Sequence, residues 1–165
     1  MNLPRILRHL FTTRFATRRR FTREARARIE EAIRDVERRH AGEIRFAVET
    51  ALELPALFAG MTPRSRALEV FGLLGVWDTA GNNGVLIYLL MADRDVEIVA
   101  DRAIAERVAQ AEWDAACHAM EEEFRAGRYA SGAEAGIRAV GALLAAQFPG
   151  RGGDRDEQPN EVVIM

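Results

Sequence analysis

The nine residues from Gly84 to Ala92, GVLIYLLMA, are apolar at nearly every position. The run is far short of the roughly 20 residues that a membrane-crossing helix needs. It has the length of a strand, yet it lacks the polar alternation of a strand with one wetted face. It predicts a strand over Val85–Met91 buried on both sides, which requires a sheet with a covering layer on each face.

The flanking segments supply those layers by pattern. Phe21 to His40 reads as a helix, with Phe21, Ala25, Ile29, Ile33 and Val36 on one stripe, Thr22 as its cap and Gly42 as its stop. The period then drops to two at Ile44, Phe46 and Val48, which predicts a strand over Glu43–Glu49. Thr62-Pro63 opens a second helix with its buried face at Ala67, Val70, Phe71 and Leu74. A polar loop, Asp78–Gly84, precedes the apolar strand, Ala92–Asp95 turns the chain, and Val96–Ala100 returns as a third strand. From Ala103 the sequence is helical to Phe148, broken around Gly127, and Ser131-Gly132-Ala133-Glu134 has the form of a capping box opening the last helix. This order predicts an α/β fold, a small mixed β-sheet sandwiched by helices with a helical C-terminal half. In a chain of 165 residues, that is one domain over 21–149. It is flanked by a basic amphipathic segment, 1–20, and a polar tail, 150–165, expected to be disordered. Pairing of Val162–Met165 with a sheet edge is the alternative to a loose end.

Charge narrows the function classes. The formal net charge is -2, so the protein as a whole is no polyanion binder, and no nucleic-acid motif interleaves its arginines. Within residues 1–28, however, nine arginines face the single acid Glu24, while Leu3, Leu7, Leu10, Phe11 and Phe15 recur at near-helical spacing. Such a segment suits a peripheral anchor on anionic lipid, a docking arm, or a core-capping helix with solvated arginines. Arginines interrupt the apolar residues that a secretory signal needs, so a cytoplasmic location, peripheral to the membrane at most, is expected. Cys117 is the only cysteine, which excludes a disulfide framework and any multi-cysteine metal site.

If strands 44–48 and 85–91 run parallel and strand 96–100 returns antiparallel, one end of the sheet collects Asp78, Asn82, Asn83 and Asp101. The other end collects Glu49, Asp93 and Asp95. Oxygen donors on a glycine-containing loop suit a hard cation such as Ca2+ or Mg2+. Ordinary turn chemistry accounts for the same four residues and is the simpler reading.

Other templates fit poorly. Asp93-Arg94-Asp95 reads as a hairpin rather than a phosphoryl acceptor, and Cys117 as a small core residue rather than a thiolate nucleophile. His118 stands one helical turn from Asp114 and from Glu122, a spacing that helix surfaces produce by chance. Glu121-Glu122-Glu123 reads as a solvated face, and Trp77 and Trp113 as core aromatics. No phosphate-binding glycine loop or nucleophile elbow is present, so no complete catalytic constellation emerges.

Three segments in order resemble the TPM-domain family: Asn82-Asn83-Gly84-Val85-Leu86-Ile87, Asp93-Arg94-Asp95-Val96-Glu97-Ile98-Val99, and Phe124-Arg125-Ala126-Gly127-Arg128-Tyr129. The resemblance runs from about Arg23 to Leu144 and implies an α/β sandwich with a polar cleft at the sheet end that carries the Asn-Gly loop. It also implies that divalent-cation binding and acid-phosphatase activity, both described for some members, are to be considered, as is membrane attachment. Two positions depart from the family pattern. Asn82 stands where the family has an acid, and Asp101 falls in a stretch that many members make glycine-rich.

Two functions remain. One is a non-catalytic module that binds a partner protein or an anionic membrane surface, through Arg5, Arg8, Arg14, Arg18, Arg19 and Arg20. The other is a divalent-cation-dependent, phosphatase-like hydrolase with Asp78, Asn82, Asn83 and Asp101 around the metal.

Overall fold

The computed structural model describes residues 2–150 and 157–165. Helices α1 (Leu3–Phe11), α2 (Arg14–Arg20) and α3 (Arg23–Glu37) lead into strand β1 (Glu43–Glu49). Helices α4 (Leu54–Phe58) and α5 (Pro63–Leu73) follow, then the hairpin of β2 (Gly84–Leu90) and β3 (Asp95–Ala100). Helices α6 (Arg102–Ala105), α7 (Gln110–Arg125) and α8 (Tyr129–Gln147) precede a short last strand, β4 (Val163–Ile164). The sheet order is β3-β2-β1-β4, with β1 parallel to β2 and β4, and β3 antiparallel to β2.

Every residue of β2 is buried, as its composition requires, because the two faces pack against different helices. Val85, Ile87 and Leu89 join Ile44, Phe46, Val48, Val96 and Ile98 in a core completed by residues of α3, α7 and α8. Leu86, Tyr88 and Leu90 face the other way, into a smaller core with Ile6 of α1, Leu57 of α4, and Ala67 and Val70 of α5. Glycine lets the larger core close tightly: a Cβ on Gly136 of α8 would overlap the Met120 side chain of α7.

The helix starts follow local chemistry. Thr22 and Thr62 accept hydrogen bonds from Ala25 N–H and Ser65 N–H, 3.2 and 3.0 Å away, and Pro63 occupies the first turn of α5.

Several expectations are corrected. The helical stretch after Ala103 breaks a second time, at Glu106–Ala109, where the Glu112 carboxylate accepts Ala109 N–H at 3.1 Å. Ser131 does not open α8; that helix begins at Tyr129, and Glu134 instead pairs with Arg28 and Arg138. Trp77 is 55% exposed, whereas Trp113 is buried as expected. Glu121 is no solvated residue: its carboxylate accepts Val96 N–H at 3.2 Å, so α7 covers the outer edge of β3.

The opposite edge is covered by the chain's own tail. The disorder expected from 150 onward does not hold for 157–165, which run along β1; residues 151–156 lie outside the described residues. Met165 N–H donates to Val48 O at 2.8 Å, and Thr50 N–H to Met165 O at 3.0 Å. Gln158 N–H donates to Glu43, and Arg45 to the Pro159 carbonyl. Pairing wins here because β1 otherwise presents unpaired amides, which cost free energy when buried.

Candidate functional site

The two sheet ends have different chemistry. At the first, Asp101 N–H donates to Gly84 O at 2.8 Å, so Asp101 stands beside the Gly84–Val85 peptide. Gly84 is required there, because a Cβ would overlap the Val76 carbonyl. Asn83 is buried, donating its side-chain amide to Ala41 O and its backbone N–H to Thr79 Oγ1 at 3.0 Å. Asp101 Oδ1 accepts Arg102 N–H at 2.6 Å and starts α6. Asn83 Oδ1 and Asp101 Oδ2 are both buried without a hydrogen-bond partner.

Asp78 and Asn82 are exposed on the loop, and Asn82 takes a positive φ of 48°, the turn role that asparagine tolerates. The structure thus places Asp101 against Gly84, the residue after Asn83, while Asp78 and Asn82 serve the loop's surface. Among the described residues, no group of three or more His, Cys, Asp and Glu is placed to hold a metal ion. For an implied divalent cation the fit is therefore partial, with two orphaned oxygens and one ionisable ligand.

At the second end, Asp93 in the β2–β3 turn is the focus. Arg5 Nε donates to it at 2.9 Å and Arg8 at 3.1 Å, and His9 Nε2 lies 3.2 Å from Oδ1. Burial opposes the Asp93 charge, but the hydrogen bond and charge of Arg5, with those of His9, outweigh it and hold the carboxyl below its usual range. Burial lowers the His9 pKa, and its Nδ1 accepts Leu52 N–H at 3.0 Å. This latch was not evident from sequence, since Asp93 lies 88 positions from Arg5 and reads locally as a turn residue.

The latch fixes the orientation of α1. Ile6 and His9 are buried, and Arg5 also donates to Met61 O at 2.8 Å. The apolar arc consequently faces outward: Leu3, Leu7, Leu10 and Phe11 are exposed, Phe11 by 79%, as is Phe15 of α2 by 72%. Of the six arginines expected to meet a surface, Arg5 is sequestered and Arg8 shared with Asp93. Arg19 and Arg20 lie over the Phe15 and Tyr129 rings, at 5.9 and 5.1 Å.

Beside the latch, Glu49 accepts two hydrogen bonds from Arg66, at 2.8 and 3.0 Å, and one from the Tyr88 hydroxyl at 2.7 Å. Burial pushes the Tyr88 hydroxyl up, with Glu49 adding to the effect. Burial also pushes Asp95 up to about 6, helped by Glu97, Glu121 and Asp93. Cys117 is pushed up to about 12 by burial, which keeps it a thiol and not a nucleophile.

A three-layer α/β sandwich with a polar loop at one sheet end and an amphipathic arm at the other defines the class of protein. The chain matches the TPM domain over residues 17–143 and belongs to that family. It is similar in structure to the BA42 protein of the psychrophilic bacterium Bizionia argentinensis, with 34% identity and a TM-score of 0.77 over 87% of this chain and 94% of that one. The N-terminal domain of a P. gingivalis protein shares the fold, at 21% identity and TM-score 0.60, covering 77% of this chain and 78% of that one. So does the N-terminal domain of the cg2496 protein from Corynebacterium glutamicum, at 18% identity and TM-score 0.54, covering 86% of this chain and 79% of that one. No match to this chain is found among curated proteins. Helix α1 and strand β4 both lie outside the matched residues.

Proposed function

We propose that this TPM-domain protein is a non-catalytic docking module that binds an anionic membrane surface through the outward face of α1 and α2. The observation that carries this reading is the inverted placement of α1. Its polar arc is consumed by Asp93 and Leu52, and its apolar arc is left in water. Exposing a row of large apolar side chains is unfavourable by roughly 25 cal/mol per Å2 unless a partner covers it. Arg14 and Arg18 on α2 add positive charge beside Phe15, the combination that interfacial helices use against acidic headgroups. No helix among the described residues is long and apolar enough to cross a membrane, so the contact is peripheral in this reading.

Cosedimentation with vesicles of phosphatidylglycerol and phosphatidylcholine tests it. Binding is expected to weaken with salt and to fall at least tenfold in a Leu7→Glu/Phe11→Glu variant of unchanged melting temperature. Equal binding by that variant rules the reading out.

A second reading is favoured by the orphaned Asn83 Oδ1 and Asp101 Oδ2, either of which a Ca2+ or Mg2+ ion would satisfy. A bound cation would supply the Lewis acid for a phosphatase-like hydrolysis. A saturable rise in melting temperature with millimolar Ca2+ or Mg2+, abolished in Asp101→Ala, would uphold the site; no rise removes it.

A further inference from the structure

A groove of about 520 Å3 runs between the α2–α3 junction and the tail, lined by Arg18, Phe21, Thr22, Arg23, Arg26, Val162 and Ile164. A second groove shares Arg23, Arg26 and Val162 and adds Glu30 and Glu161. The arginines here differ from their neighbours. Arg28, Arg34 and Arg38 each hold a carboxylate. Arg18, Arg23 and Arg26 form no ion pair with any described residue, and Arg26 Nε is buried without an acceptor. Of the nearby carboxylates, Glu161 lines the second groove, and its charge acts on Arg45. Glu24 is exposed and feels the Arg23 charge, and Glu30 accepts Val162 N–H at 3.4 Å.

Three arginines line one groove without a carboxylate partner, an arrangement suited to an anion with several oxygens. Guanidinium forks match phosphate oxygens, and the α3 N-terminus adds positive potential on the same side. The remaining lining, Phe21, Val162 and Ile164, is apolar. We infer that this groove binds a phosphate monoester, with the phosphate against Arg18, Arg23 and Arg26 and the apolar part of the esterified group against Phe21, Val162 and Ile164. Two of those three apolar residues belong to the tail, so occupancy also holds β4 on β1. The site shares Arg18 with the outward face of α2 and is separate from the apolar face of α1.

Titration of isotope-labelled protein with inorganic phosphate and phenyl phosphate, followed by NMR, tests this at constant ionic strength. The expected result is saturable shifts centred on residues 18–26 and 162–164, tighter for phenyl phosphate, with slower amide exchange at Met165. An Arg23→Gln/Arg26→Gln variant is expected to lose at least tenfold in affinity at unchanged melting temperature, whereas Leu7→Glu/Phe11→Glu keeps full affinity. Vesicles containing phosphatidic acid distinguish the source. Saturation by soluble phenyl phosphate assigns a soluble ester; a response confined to those vesicles, lost in the double arginine variant, assigns a lipid headgroup. No response to any probe, or an equal response in the arginine variant, overturns the inference.

Discussion

The two faces of the sheet are built on opposite terms. Beneath α3, α7 and α8 the core is apolar throughout, with Phe21, Phe46, Phe124 and Tyr129 in ring contact. Beneath α1, α4 and α5 a smaller apolar core is joined to two buried charge clusters, Glu49–Arg66–Tyr88 and Asp93–Arg5–His9. Hydrophobic burial is non-directional, so the first face needs only complementary volume. Charged groups demand specific partners, so the second face fixes orientation, and it is there that α1 is held with its apolar arc outside.

The largest expected effect lies on the apolar face. Phe124→Ala removes a fully buried ring and should cost about 3–5 kcal/mol in urea unfolding, independent of salt and nearly independent of pH. On the charged face, Glu49→Ala should cost about 3 kcal/mol, because Arg66 and Tyr88 lose their shared acceptor, and Tyr88→Phe should recover little of it. A smaller loss than for a surface pair would erase the distinction between the faces.

Asp93→Asn should cost about 1–2 kcal/mol and raise amide exchange across residues 3–11 selectively. The native Asp93 carboxyl is held low in the fold, so its stabilisation is present above its usual value near 3.8 and is lost as pH falls further. Unlatching of α1 is therefore expected only in strong acid, and intact protection of residues 3–11 in Asp93→Asn would break the latch argument.

Milder pH separates two other groups. His40, buried with Nδ1 accepting Gly42 N–H, is lowered by burial to about 4, so stability should fall as pH drops from 6.5 towards 4. Asp95 is raised to about 6, so its ionisation destabilises as pH rises from 3.8 through 6. Asp95→Asn should then raise the melting temperature at pH 7.5 and leave it unchanged at pH 3.5. Smallest of all, Phe11→Ser should change stability by no more than about 0.5 kcal/mol, since Phe11 contributes surface rather than core.

Much of the architecture was legible locally. The period-two run gives β1 over Glu43–Glu49, and Thr22 and Thr62 mark helix starts, because cap chemistry acts within three residues. The uninterrupted apolar run gives β2 its place in the middle of the sheet. Yet the same alternation in β1 concealed that Glu43, Arg45 and Glu49 are buried, since their partners arrive from the tail and from α5. The candidate loop reads as a set of oxygens, but which of them are turned inward depends on the Val76–Gly84 contact and on the β2–β3 register.

The sequence by itself determined the periodicities, the caps, the central strand and the resemblance to the TPM domain, all of which rest on residues close along the chain. Only the tertiary structure decided which arc of α1 meets the protein, which edge the tail covers, and which arginines are left unpaired. Those outcomes depend on charges brought together from distant positions, and a carboxylate such as Asp93 carries no local mark of the cations that will find it.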